Sequence, residues 1–189
     1  MRAIAAALLL VLTGCASPDP VLFTLAAQPG QAIHSPAGAI ELRRIGLARY
    51  LDRSGIVRAV TPYRLTVTDE QRWAEPLSRM LERVLAENLS SRLPDKVVYT
   101  ETSGIDQTSP VILAVDVQGL DLDVSGEVVL AAQASIQRPG DRGVAAARGF
   151  RITRHPASAN TEGLVAAMSA ALAELSDGLA LLLSQPARP

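Results

Sequence analysis

The sequence is short of the side chains that make disulfides and metal sites. Among 189 residues it has one cysteine, Cys15, and two histidines, His34 and His155. One cysteine excludes an intrachain disulfide, and these three residues are too few for a Cys/His zinc site. Charge of one sign is also missing, because 18 basic residues face 19 acidic residues for a net charge of -1. The broad positive surface typical of nucleic-acid-binding proteins is therefore not expected.

The motifs of common catalytic sites are missing as well. The sequence contains no Gly-rich phosphate loop, no nucleophile elbow and no HExxH pair. Asp121 and Asp123 share one predicted strand face, as paired glycosidase carboxylates would, but exposed strand positions explain them more simply. His155 precedes Pro156 at a predicted strand end and is interpreted as a loop residue. We therefore predict a protein that is not an enzyme and needs neither a cofactor nor a metal.

The first fifteen residues have the pattern of a bacterial lipoprotein signal. A positive start is followed by a short apolar run, Ile4 to Leu12, and then by Leu12-Thr13-Gly14-Cys15. A membrane span takes about 20 apolar residues, so a cleaved export signal is favoured. Cleavage between Gly14 and Cys15 would remove residues 1–14 and leave Cys15 to carry a diacylglycerol. The competing interpretation is a lone buried cysteine after an ordinary signal peptide.

The residues after Cys15 predict where the anchor lies and how far it reaches. Neither Ala16 nor Ser17 is the aspartate that bacterial sorting systems read as an inner-membrane retention signal. The outer membrane is therefore favoured, with the protein on its periplasmic face. Residues 15–38 contain repeated Pro and Gly and predict a flexible tether, with one short strand at Phe23-Thr24-Leu25. Residues 39–185 predict a single periplasmic domain.

Hydrophobic periodicity predicts an α+β fold, with a mainly antiparallel sheet that ends in a three-strand meander and is covered by two long amphipathic helices. Alternation predicts strands within 40–47, 56–67, 97–99, 111–124, 128–136 and 148–152. Bulges are predicted near Arg43-Arg44 and at Gly119, where the phase of alternation changes. Apolar residues three and four apart predict a first helix that opens at 68–70, has Pro76 in its first turn and ends at Leu93.

The second predicted helix, residues 161–183, is rich in Ala and Leu and is long enough to span a membrane. Its acidic residues Glu174 and Asp177 would be costly near the bilayer centre. A helix that covers the protein core is therefore favoured over a membrane span.

Charge is unevenly distributed along the chain. Residues 41–92 hold ten arginines against seven acidic residues, whereas residues 95–127 hold one lysine against seven acidic residues. Opposed patches of this kind can meet between the subunits of a homo-oligomer, or they can be solvated faces of one domain. The sequence leaves both interpretations open.

Several motifs together resemble one family. They are the lipobox at Cys15, the aromatic-x-Leu element at 23–25, Tyr50-Leu51-Asp52-Arg53, the block 73–77, the block 85–89 and the closing helix. With this set the chain resembles the ABC-type transport auxiliary lipoprotein family over nearly its whole length. The resemblance implies an auxiliary outer-membrane lipoprotein that works with a periplasmic MCE-domain protein, an inner-membrane permease and a cytoplasmic ATPase. Such a system moves lipids between membranes and supports envelope integrity.

Two of these motifs are candidate contact sites. Tyr50-Leu51-Asp52-Arg53 precedes a predicted turn at Ser54-Gly55, and its aromatic ring and opposite charges suit a partner interface. The alternative is an ion pair of Asp52 with Arg53 or Arg58 that only fixes the turn. The second motif belongs either to the core or to an interface, and its residues are Trp73, Glu75, Pro76 and Leu77.

A second function stays open, namely a structural or regulatory envelope lipoprotein that activates a cell-wall synthase. Such a protein must reach across the periplasm, and a tether of about 22 residues extends to roughly 75 Å at most. We therefore rank this function below transport.

Overall fold

The computed structural model describes residues 19–105, 107–108, 110–144 and 146–186. The α+β class is confirmed, and the strands form one sheet. The strands are β1 (Val21–Phe23), β2 (Ile40–Leu42), β3 (Gly46–Leu47), β4 (Gly55–Thr61), β5 (Arg64–Trp73), β6 (Val98–Thr100), β7 (Val111–Leu122), β8 (Val128–Gln137) and β9 (Ala146–Arg154). The helices are α1 (Leu77–Arg92) and α2 (Thr161–Ser184).

The sheet is mixed rather than mainly antiparallel, and β7 is its organising strand. Strands β2, β3 and β4 pair in turn along one edge of β7, and all three are parallel to it. The other edge of β7 pairs antiparallel with β8, which pairs antiparallel with β9. The register shift between Val117 and Gly119 confirms the bulge predicted from the change in alternation.

The first helix begins later than predicted. Residues 68–73 belong to β5, and the helix begins at Leu77 with Pro76 at its N-cap position. Strand pairing explains the difference, because β1 pairs with Gln71, Arg72 and Trp73, and the Trp73 amide donates to the Ser54 carbonyl at 2.7 Å. These long-range hydrogen bonds hold as strand a segment whose local signals suggested a helix start.

Helix α2 packs against α1 and against β7, β8 and β9. Its N-cap is Asn160, whose side chain accepts a hydrogen bond from the Gly163 amide at 2.8 Å. At Gly178 the helix lies so close to β9 that an added Cβ would stand 2.5 Å from Cε1 of Phe150. By length and hydropathy this helix could cross a membrane, yet 67% of its most apolar window is buried inside the fold.

The segment predicted as a tether is packed onto the domain through most of its described part. Val21–Phe23 forms β1, and residues 24–38, here called the N-terminal strap, cross the helices before β2 begins. The Leu25 side chain is buried, and its amide donates to the Met80 sulfur at 2.9 Å. Further on, the Gln28 amide donates to Asn88 Oδ1 at 2.8 Å. Backbone groups that a flexible tether would leave to water are thus satisfied by helix side chains.

Candidate functional site

The predicted lipid-attachment site lies outside the described residues. Gly14 and Cys15 precede residue 19, the first that the structure describes. The described chain enters the fold at Val21, the start of β1. Five residues, 16–20, lie between Cys15 and Val21, so the two Cα atoms can be at most about 20 Å apart.

The Tyr50 motif forms a turn beside β7. The Tyr50 hydroxyl donates to Asp121 Oδ2 at 2.7 Å, and Nε of Arg53 donates to the Tyr50 carbonyl at 3.1 Å. Leu51 is only 2% exposed and belongs to the core, whereas Asp52 and Arg53 are exposed. The surface that this motif can offer to a partner is therefore formed by Asp52 and Arg53.

The Tyr50–Asp121 pair is half-buried, and burial controls its electrostatics. Burial, followed by the hydrogen bond and the charge of Asp121, raises the pKa of Tyr50 well above its usual range. Burial also raises the pKa of Asp121, against the opposing effect of the Tyr50 hydrogen bond. Tyr50 is therefore a neutral donor at physiological pH, which suits a structural hydrogen bond and not an acid–base role.

The alternative for this turn, an ion pair of Asp52, is not present in the described structure. Neither Arg53 nor Arg58 lies within ion-pair distance of Asp52. Instead Arg58 donates to Thr161 Oγ1 at 2.6 Å at the start of α2. The charges of Asp52 and Arg53 are thus not paired with each other.

The Trp73 motif contributes mainly to the core. The side chains of Trp73 and Leu77 are buried, and Pro76 occupies the N-cap position of α1. Glu75 is half-buried and pairs with Arg83 at 3.1 Å, and Pro76 is the exposed member of the motif. Trp73 and Leu77 therefore offer little surface to a partner.

A buried arginine that the sequence analysis did not single out ties the strap to both helices. Arg92 is 2% exposed, and its guanidinium donates to the carbonyls of Gln28 and Ala173, each at 3.0 Å. Its Nε lies 2.5 Å from Oδ1 of Asp177. A Cβ at Gly30 would overlap the guanidinium of Arg92, so any other residue at this position would have to displace that side chain. The sequence does carry one signal of this junction, which is Asn88 within the leucine stripe of α1.

The described structure has open clefts on its surface. One of about 520 Å³ lies on the sheet and is lined mainly by small residues of β7, β8 and β9 together with Asp116, Gln133 and Arg148. No group of three His, Cys, Asp or Glu side chains in the described ranges is arranged to hold a metal ion.

A comparison with known protein families gives a match over most of the chain. The model of the ABC-type transport auxiliary lipoprotein component matches residues 22–180, a range that begins within β1, includes the strap and α1, and ends within α2. The chain belongs to this family. The family is described as an auxiliary transport component and not as a catalytic one.

Solved structures show the same fold for this auxiliary lipoprotein. Protein XCC0632 from Xanthomonas campestris, assigned to DUF330, is 23% identical with a TM-score of 0.72, over 86% of this chain and 94% of that one. Another crystal structure, titled only as an uncharacterized protein, is 21% identical with a TM-score of 0.75, over 88% of this chain and 100% of that one. No curated protein sequence matches this chain.

Proposed function

We propose that this auxiliary lipoprotein is anchored to the outer membrane through Cys15 and acts in the periplasm as the non-catalytic subunit of an MCE-type ABC system that moves lipids between membranes. The observation that carries the proposal is the family match over residues 22–180, directly downstream of a lipobox. Its partners would be an MCE-domain protein, an inner-membrane permease and an ATPase.

The packed strap argues against the second candidate, an activator of a cell-wall synthase. If the tether were free from Cys15 to residue 38, it would extend to roughly 75 Å. With β1 paired to β5 from Val21 onwards, only five residues would separate the lipidated Cys15 from the fold. The domain would then be held within about 20 Å of its anchor, which favours work at the membrane surface.

The anchor is tested by labelling cells with a palmitate analogue. We expect the wild-type chain to incorporate label and Cys15→Ser to lose it and accumulate as precursor, because serine lacks the thiol that accepts diacylglycerol. Ser17→Ala, two residues away, is the matched control and should be labelled like the wild type. Label on Cys15→Ser, or none on the wild type, would contradict the anchor.

The partner is tested at the exposed part of the Tyr50 turn. We expect Asp52→Ala combined with Arg53→Glu to reduce co-purification of the MCE-domain protein, because both side chains are exposed and their charges are available to a partner. Arg142→Glu, an exposed charge reversal in the β8–β9 connection, is the control. Equal recovery with both variants, at unchanged thermal stability, would remove this turn from the interface. Sedimentation of the same variants measures whether the turn contributes to self-association.

A further inference from the structure

The hairpin of β4 and β5 ends in an apolar ribbon, residues 59–68, that projects into solvent. Every residue from 60 to 68 is exposed, including Tyr63 at 97%, Leu65 at 46% and Val60 at 44%. The only charged side chain in the ribbon is Arg64. An exposed apolar cluster with so little charge is typical of a surface that contacts another molecule or a membrane.

In the described residues no third strand pairs with the ribbon. Ala59 pairs with Leu65 and Thr61 with Arg64, whereas β7 reaches β4 only at Arg58. On the other side, β1 pairs with β5 only at residues 71–73. A two-stranded ribbon is marginally stable in water, so a covering surface would stabilise this one.

The chain from the anchor approaches the fold from the side of the ribbon tip. Because β1 is parallel to β5, the residues before Val21 lead back in the direction of Arg64, where β5 begins. Arg72 of β5 pairs with Leu22 of β1 on one side and with Gly55 of β4 on the other. From Gly55, β4 continues for six residues to Thr61 at the ribbon tip. Six strand residues cover about 20 Å.

The maximum distance between Cys15 and Val21 is about the same as the length of strand between Gly55 and the ribbon tip. The six Cα–Cα steps from Cys15 to Val21 also cover about 20 Å at most. A lipid on Cys15 therefore lies no farther out than the level of the ribbon tip, so the tip meets the surface in which the lipid is inserted. The β7–β8 turn, with exposed Val124, lies at the same end of the sheet, because Leu122 pairs with Arg58.

The chemistry of the tip fits a phospholipid surface. Tyrosine is enriched at membrane–water interfaces, where its ring is buried among headgroups and its hydroxyl stays wet. Arg64 can extend its guanidinium to lipid phosphates while its stem covers apolar surface. Tyr63, Val60 and Leu65 supply the apolar contact.

From the anchor length, the strand direction and this composition, we infer that the β4–β5 ribbon docks onto the phospholipid leaflet that holds the lipid anchor, with Tyr63 at the headgroup level. The inference rests on the proposed acylation of Cys15. It adds a second, non-covalent membrane contact that orients the domain.

The test places a tryptophan reporter at the tip and a matched one at the far end of the sheet. Lipidated Tyr63→Trp and Val144→Trp proteins are reconstituted in vesicles of phosphatidylethanolamine and phosphatidylglycerol, with acyl chains brominated near the headgroup. Val144 is also exposed, but it lies in the β8–β9 connection at the opposite end. Trp73 is buried and supplies the same background in both proteins.

We expect quenching of the tip reporter to exceed that of the control reporter about twofold or more, because interfacial aromatic residues lie within reach of the bromines. Equal quenching of the two reporters in protein that floats with the vesicles would overturn the docking and leave the anchor intact. Protein that neither floats nor shows a lipid mass on Cys15 would overturn both. A spectral shift of the tip reporter that depends on protein concentration, without vesicles, would assign the ribbon to a second copy of the chain and overturn the docking.

Discussion

Loss of the Arg92 guanidinium should loosen the N-terminal strap and lower the stability of the whole domain. Arg92→Met keeps an unbranched apolar stem and removes the donors to Gln28, Asn88, Ala173 and Asp177. The half-buried Gln28 carbonyl then loses its arginine partner, whereas the Ala173 carbonyl keeps its hydrogen bond within α2. The Asp177 carboxylate is half-exposed and can be hydrated instead.

The magnitude follows from these two carbonyls. The Gln28 carbonyl is left without a partner, which costs about 1–3 kcal/mol, and the Ala173 carbonyl loses a second hydrogen bond worth about 1 kcal/mol, so the variant should lose about 2–4 kcal/mol in free energy of unfolding. Removal of a buried charge returns part of this loss, which makes about 2 kcal/mol the central expectation. For a domain of this size, that corresponds to a fall in Tm of about 4–8 °C.

The assay compares thermal and urea unfolding of Arg92→Met with that of Arg83→Met. Arg83 is on the same helix but is exposed, and its pairs with Glu75 and Glu87 should contribute about 0–1 kcal/mol. Hydrogen exchange adds a local measurement, because the Ile33 amide donates to the Arg92 carbonyl at 2.8 Å. Exchange in the strap should quicken more than in β7 and β8. Equal stability of the two variants would refute the reasoning.

Three further predictions concern other parts of the fold. Gly178→Ala should lower Tm, because the added methyl group would overlap the Phe150 ring, and Gly178→Ala combined with Phe150→Leu should recover part of the loss. Asn160→Ala should cost about 1 kcal/mol in urea unfolding through loss of the N-cap of α2, with Asn160→Ser closer to the wild type. Burial raises the pKa of Asp121, so the folded state favours the protonated carboxyl group. The contribution of this group to the free energy of unfolding is therefore lost as pH rises through the pKa of Asp121 in the folded state. Asp121→Asn should therefore be more stable than the wild type at pH 7 and lose this advantage near pH 4, and an advantage independent of pH would contradict the assignment to Asp121.

Local periodicity was sufficient for the parts of the fold that are long and regular. The leucine stripe predicted the core face of α1, and the change of phase at Gly119 predicted the bulge in β7. The span of α2 was also predicted to within a residue at its C-terminal end. In each of these elements one face is buried over many residues, so the hydrophobic pattern repeats often enough to identify the element from the sequence.

Short elements held by distant partners could not be predicted in this way. Strands β1, β2 and β3 have two or three residues each, and their parallel pairing depends on strands far along the chain. The strap has no periodicity at all, because its amides are satisfied by side chains of α1 and α2. The same limit applies to the candidate site, since the burial of Leu51 depends on tertiary packing.

The direction of β1 also decides how the domain bears mechanical load. Tension on a lipid at Cys15 would reach Val21 along the axis of β1, and the hydrogen bonds to β5 lie across that axis. They would be loaded together in shear instead of being opened one after another. After β1, the strap crosses the buried Arg92 side chain at Gly30. If the strap were pulled along its length, a neighbouring residue with a Cβ would move to this position and would have to displace the guanidinium. Residues 21–38 would thus resist pulling from the membrane side.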